Sequence, residues 1–367
     1  MCAIIANYFL LRGGIRLVLY DFGIKNFRAF KSLELKNFKK VNIFVGEPNT
    51  GKTSILEALS LFLAKNPQML ISLLDERNML GDSACFEGLF FDYNIDDAII
   101  LHSNSIFLKI SPDFENKSLV VSNQTNSIDI SNYTDFLNNL KFIFTQQDKE
   151  IFSNEIRFDK VELNKIRYNV TNVTQDLMLV LKSVEFISNL KNREYFDKFI
   201  HNLSIIIADT AKNKELQQKI KIFAQNIDEL KFTGGNKILV QQKHLQHAVD
   251  LRLLGQGFQT YIFILIAILS GKKYILIDEI ENGLHFENID LLLKSILESP
   301  KDAQFFITTH DEEILKRLAK KLEEKYKKDE LIAFFRIYYD KKNELKATYY
   351  SQENFIHAIN HKNEVRG

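Results

Sequence analysis

The chain is 367 residues long, 46% hydrophobic and 26% charged, which excludes a disordered or collagen-like polymer and suits a globular fold with one large core or two lobes. Its 48 Lys and Arg balance 47 Asp and Glu, so no overall field draws it to DNA or to an anionic membrane, although a local basic face remains open. Two cysteines, Cys2 and Cys85, exclude a disulfide framework and a paired metal-ligand spacing, and fit a reducing, cytoplasmic setting.

In chain order, residues 1–15 carry no basic residue before their apolar stretch and no small-residue cleavage site. They read as an N-terminal extension rather than a secretory signal. Residues 16–27 predict a strand and the alternation of Leu33 and Leu35 a second, with Asn26-Phe27-Arg28-Ala29-Phe30 as the turn between them. Residues 41–63 follow. Val41, Ile43, Phe44 and Val45 predict a buried parallel strand, and Ile55, Leu59 and Phe62 fall at helical spacing.

Between that strand and helix, Gly46-Glu47-Pro48-Asn49-Thr50-Gly51-Lys52-Thr53-Ser54 satisfies G-x-x-x-x-G-K-[ST], the phosphate-binding loop. The chemistry needs each residue type for its own reason. Backbone N–H groups opening a helix surround a triphosphate if no Cβ blocks the approach at Gly46 and Gly51. Lys52 adds a mobile charge for the outer phosphates, and the Thr53 hydroxyl is placed to hold Mg²⁺. A chance match in a loop is the alternative, and the strand before and helix after weigh against it.

Residues 66–84 read as a mixed, partly helical connection. From Phe86 to Ser131 short β-type runs (LFFDYN, AIILH, SIFLKI, LVVS, IDI) predict an antiparallel meander, so that residues 16–131 form the first part of the head. Residues 132–232 carry apolar positions at helical spacing, as in Leu177, Leu181, Val184 and Ile187, and predict a largely helical inserted arm. Thr233-Gly234-Gly235-Asn236 marks the return, and residues 233–367 form the second part of the head.

That second part holds what the first lacks. Lys273 to Ile277 predicts an apolar strand ending in Asp278 and Glu279; the former can hold Mg²⁺ and the latter can orient or deprotonate an attacking water. After one helix, residues 304–310 predict a strand with His310 at its carboxyl end, where an open α/β sheet places its ligand. A solvated strand end and a surface histidine are the bland readings. The phosphate loop shifts the balance toward a catalytic pair and a γ-phosphate sensor. Upstream, Gly255-Gln256-Gly257 before an apolar helix makes a further anion-binding N-terminus, weak by itself.

Taken together, GEPNTGKTS, LLGQGFQ, ILIDEIENGLH and FITTH stand in the order of an ABC-type ATPase core. The chain resembles AAA-family, RecF-like ATPases related to structural-maintenance-of-chromosomes proteins and to overcoming-lysogenization-defect nucleases. NFRAF, DEIENGLH and the terminal NEVRG add to the likeness, which spans residues 16–65 and 236–367. It implies an α/β P-loop NTPase head of ABC type, with a central mostly parallel sheet, an antiparallel β subdomain and the inserted arm. It also implies a homodimer that sandwiches ATP and Mg²⁺. Lys52, Thr53, Asp278, Glu279 and His310 then act in cis, Gly255 to Gly257 reach the partner's γ-phosphate in trans, Arg28 joins the nucleotide contacts, and Asn282 to His285 couple the two sites. Gly255 replaces the family's usual signature serine, which predicts slow hydrolysis. Gln146 and Gln147 are the candidates for a Q-loop, and residues 311–367 leave no room for a Toprim nuclease domain.

Two functions compete at this point. One is an ATP-driven switch acting with a separate nuclease or toxin in phage defence or DNA maintenance. The other is a DNA-binding module in which nucleotide is mainly structural. Lys316, Arg317, Lys320, Lys321, Lys325, Lys327 and Lys328 form a basic run, but Glu323, Glu324, Asp329 and Glu330 interleave with it as on a solvated face. The lack of an N-K-x-D motif disfavours a GTPase, and the helical arm together with the lack of a spanning segment disfavours a transporter ATPase, so no membrane contact is expected of the chain itself.

Overall fold

A computed structural model describes residues 18–79, 86–112, 139–162, 165–170, 183–188, 193–233, 237–327 and 329–361. Asp21–Phe27 (β1) and Phe30–Lys36 (β2) form a hairpin, closed at Phe27 against Phe30 by a turn in which Arg28 has φ 51°. Val41–Gly46 (β3) is buried throughout and leads through the phosphate loop into Lys52–Ala64 (α1), followed by Gln68–Glu76 (α2). Ile99–Ser103 (β4), Ile106–Pro112 (β5), Asn139–Gln146 (β6), Lys149–Glu162 (β7) and Lys165–Val170 (β8) extend the hairpin. The result is a seven-stranded antiparallel sheet in the order β2-β1-β4-β5-β6-β7-β8.

The second sheet places the site. Val184–Ile187 (β9), Tyr274–Ile277 (β13), Gln304–Thr308 (β14), Ile332–Tyr339 (β15) and Leu345–Ser351 (β16) join β3 in the order β16-β15-β3-β14-β13-β9. All its pairings are parallel except β15 with β16. Both faces are covered, so these strands read as near-continuous apolar runs. Phe44, Leu276 and Phe306 point toward α1 and the antiparallel sheet, whereas Ile43, Ile277 and Ile307 point into the opposite core. Helices build that core: Gln256–Leu269 (α5), Phe286–Leu297 (α6), Glu312–Lys325 (α7) and Gln352–Asn360 (α8). Among the described residues no helix is long and apolar enough to cross a membrane.

The helical arm expected at residues 132–232 takes a different form. Its first part supplies β6, β7 and β8, which continue the antiparallel sheet, and helix is present later as Arg193–Ala208 (α3) and Thr210–Phe223 (α4). Neither helix projects. Phe199, Leu203, Leu216 and Ile220 are buried in one cluster with α5. Val184 and Ile187, expected on a helix with Leu177 and Leu181, lie on β9, because a four-residue strand buried on both faces has no period to distinguish it from a helix. Leu177 and Leu181 lie outside the described residues.

One smaller reading also changes. LFFDYN forms two short 3-10 turns, Glu87–Leu89 and Phe91–Tyr93, instead of a strand. Thr233 ends Ile227–Thr233 (β10), which pairs as a hairpin with Lys237–Gln242 (β11) in a small sheet completed by Val249–Asp250 (β12), while Gly234-Gly235-Asn236 lie outside the described residues. The expected strands LVVS and IDI, residues 1–15 and the terminal NEVRG lie outside the described residues.

Candidate nucleotide site

The phosphate loop rises from the carboxyl end of β3 onto the N-terminus of α1. Gly51 has φ 78°, and a Cβ there would come within 2.7 Å of the Phe30 ring, so the β1–β2 turn backs the loop and only glycine fits. Lys52 Nζ donates to the carbonyls of Gly46 and Glu47 at 2.9 and 2.7 Å, folded over the concavity that a phosphate would fill. Burial lowers the Lys52 pKa, while the carboxylates of Glu279, Asp278 and Glu281 act to raise it. A cation partly stripped of water and facing three carboxylates is ready to exchange carbonyl contacts for an anion.

Two sheet neighbours meet that loop from the other half of the sequence. Thr53 Oγ1 lies 3.1 and 3.0 Å from the two carboxylate oxygens of Asp278, which follows β13. Thr308, the last residue of β14, donates its hydroxyl to Asp278 Oδ1 at 2.7 Å and accepts the Glu279 N–H at 2.7 Å. One hydroxyl therefore fixes both acids. Glu279 sits at φ 50°, a left-handed backbone that is uncommon for a non-glycine residue, and its Oε2 accepts from Asn282 Nδ2 at 2.6 Å. Burial raises the Asp278 pKa; the hydrogen bonds from Thr308 and Thr53 oppose this, and the charges of Glu279 and Glu57 add to it.

His310 stands just past β14 with its ring more than half exposed. Its Nδ1 is 2.7 Å from Glu281 Oε1, which also accepts the His310 backbone N–H at 2.8 Å. Glu281, partly buried, is thus a brace for the histidine. For Mg²⁺ the donor set fits: a hydroxyl and a carboxylate in contact are hard oxygen ligands, and this ion takes one or two protein oxygens beside phosphates and water. Among the described residues no group of three or more His, Cys, Asp or Glu forms a dedicated cage.

The fold thus brings Gly46 to Ser54, Asp278, Glu279 and His310 to one end of the parallel sheet, while other expected residues go elsewhere. Arg28 meets a carboxylate of α1. Its Nε is 3.3 Å from Glu57 Oε2, and Glu57, buried on α1 one turn after Thr53, also binds Arg77 Nε at 2.5 Å. Gln146 and Gln147 sit at the tip of the β6–β7 hairpin, with the Gln147 N–H bonded to Ser105 O at 3.0 Å, and take no Q-loop place beside the acids. Gly257 and Gly283 approach backbone to backbone, so the signature-like turn packs on the Asn282 to His285 loop, whereas a Cβ on Gly255 would meet nothing within 4 Å.

Sequence reasoning missed Thr308, Glu281, Glu57 and Ser188. Ser188 follows β9, whose Ile187 carbonyl accepts the Asp278 N–H at 2.9 Å, so Ser188 stands beside the acids in a cleft of about 230 Å³ with Thr53, Glu57, Arg77, Asp278 and Glu279. The only signal for it was the short run Val184-Glu185-Phe186-Ile187, apolar at three of its four positions. For Thr308 the signal was its place two residues before His310 in FITTH. In the basic run, Lys316 pairs with Glu312, Arg317 with Asp290 and Glu313, and Lys321 with Asp290, as on an ordinary solvated face.

The family model described as "AAA domain, putative AbiEii toxin, Type IV TA system" matches residues 41–316. A Helicobacter pylori protein named ATP/GTP phosphatase is 28% identical over 328 residues, covering 82% of this chain and 88% of the relative. The DNA replication and repair protein RecF of Rickettsia massiliae (strain Mtu5) is 48% identical over 46 residues, 12% of this chain and 13% of RecF. Among solved structures, a Smc head domain with an extended coiled coil, bound to the C-terminal domain of ScpA and derived from Pyrococcus furiosus, aligns with a TM-score of 0.46 at 11% identity, covering 94% of this chain and 99% of that one.

Proposed function

The chain belongs to this AAA-domain family, and from that premise we propose that it is an ABC-type ATPase switch in which two copies enclose two Mg²⁺-bound ATP molecules. The observation that carries the reading is the Thr53–Asp278 contact, 3.0 Å across 225 positions of sequence, which joins the phosphate loop to the acidic strand end. Lys52 and the loop N–H groups hold the outer phosphates. Thr53 and Asp278 would hold Mg²⁺, which would supply positive charge against the charge that develops on the phosphates. Glu279, held by Asn282 and by its N–H on Thr308, orients the attacking water and accepts its proton. His310, braced by Glu281, reads whether the γ-phosphate is present.

Gly255 to Gly257 of a second copy would close the site against water, where fixed donors act most strongly. The family description names a putative toxin and a type IV toxin–antitoxin system, which supports a toxin effector; in our reading ATP turnover controls that effector, or a separate nuclease, in phage defence or DNA maintenance, and the two cysteines fit a cytoplasmic setting. Purified protein with Mg²⁺ and ATP is expected to release phosphate slowly. Lys52→Ala should lose ATP binding, and Glu279→Gln should keep it while turnover falls by about 100-fold or more. A wild-type protein that neither binds nor hydrolyses ATP would overturn the reading.

A further inference from the structure

The triphosphate has two ends, and the groups described so far account for one. In the order β15-β3-β14-β13, the acids and Thr308 lie on the β14 and β13 flank of β3. A triphosphate whose outer phosphates met those acids would direct its nucleoside end toward the other flank, which is β15. That strand stays close to the loop. Ile337 pairs with Gly46, and its carbonyl touches the place where a Gly46 Cβ would stand.

Phe335 and Ile337 face the cluster that contains α1, and the two-residue period of a strand puts Tyr339 on that same face. The Tyr339 hydroxyl lies 3.5 Å from the carbonyl of Asn49 in the phosphate loop, while half of the residue, 50%, remains exposed. The turn beyond it is closed: Asp340 Oδ1 accepts from the N–H groups of Lys342 and Glu344 at 2.7 and 3.0 Å, and the Asp340 N–H bonds to Glu344 O at 2.9 Å. A large, half-exposed aromatic side chain therefore stands beside the loop, and aromatic faces stack on bases of any identity.

We propose that Tyr339 is the platform on which the purine of the bound nucleotide stacks, a contact that rests on the nucleotide reading above. The test is calorimetric binding of Mg²⁺-ATP, and separately of inorganic tripolyphosphate with Mg²⁺, to the full chain. Tyr339→Ala should weaken ATP on the order of ten-fold and leave tripolyphosphate unchanged, while Tyr339→Phe should stay within about two-fold of wild type for both, because the ring and not the hydroxyl does the stacking. Unchanged tripolyphosphate binding also reports that the loop is still folded. Equal ATP affinity of Tyr339→Ala and wild type would overturn the proposal, as would a parallel loss of both ligands, which would mean that the tyrosine supports the loop through Asn49. A wild-type protein that binds neither ligand would instead defeat the nucleotide reading itself.

Discussion

Asp278 is held where its charge is costly. Burial pushes its carboxyl above the usual range, and the hydrogen bonds from Thr308 and Thr53 recover part of that. In the unfolded chain the group titrates near its ordinary value of about 3.9. Because the folded value is raised, its contribution to stability is fully present below the unfolded value and is lost as pH rises through the folded one; at neutral pH the ionised group is a net cost. Asp278→Asn is therefore expected to raise the Tm of the ligand-free protein at pH 7 by about 2 °C, with the gain vanishing at low pH, while Mg²⁺-ATP turnover is lost. Thermal melts of both proteins across pH 4 to 7 check the sign. A lower Tm for the variant at pH 7 would show that the hydroxyl contacts outweigh the burial.

At the scale of elements, the packing of α3 and α4 decides how the head behaves. The rings of Phe199 and Phe263 meet edge to face at 4.1 Å, and Phe223 stacks on Tyr261 at 3.9 Å, so both helices are bound into the core around α5. Leu203→Ala should therefore cost about 2–5 kcal/mol in urea unfolding, as for a fully buried leucine. On a projecting arm it would cost almost nothing. The second element-scale contact is Gly257 against Gly283, where backbone meets backbone and no side chain can move aside. Gly257→Ala must displace the Asn282 to His285 loop and, with it, the Asn282 amide that holds Glu279. Turnover is expected to fall by about 100-fold with ATP affinity nearly unchanged, the signature of a misplaced catalytic group, read from kcat and from equilibrium binding.

At the scale of the whole molecule, a Cβ on Gly255 would meet nothing within 4 Å, and under the proposed function that turn of a second copy encloses the γ-phosphate. Ligand that binds across two chains stabilises the pair by mass action. Glu279→Gln with Mg²⁺-ATP is expected to sediment as a dimer, and Lys52→Ala to remain a monomer at the same concentration. A monomer in both cases, with ATP demonstrably bound to the former, would leave the single chain as the functional unit.

Sequence by itself determined the parts whose chemistry is local. The phosphate loop with its flanking strand and helix, the tandem acids after an apolar strand, His310 and the closing strand pair all declare themselves within a few residues, because glycine spacing, apolar runs and turn residues act over short range. Only the tertiary structure decided the rest. Strands β6 to β9 were illegible because a strand is defined by partners far along the chain, and because a polar-rich or very short run has no clear period. Arg28 went to Glu57, Ser188 came beside Asp278, and Tyr339 came beside Asn49, each because the parallel sheet joins strands that sequence keeps far apart. Which carboxylate an arginine meets, or which loop a tyrosine touches, is set by that pairing and is not written in the residues around either one.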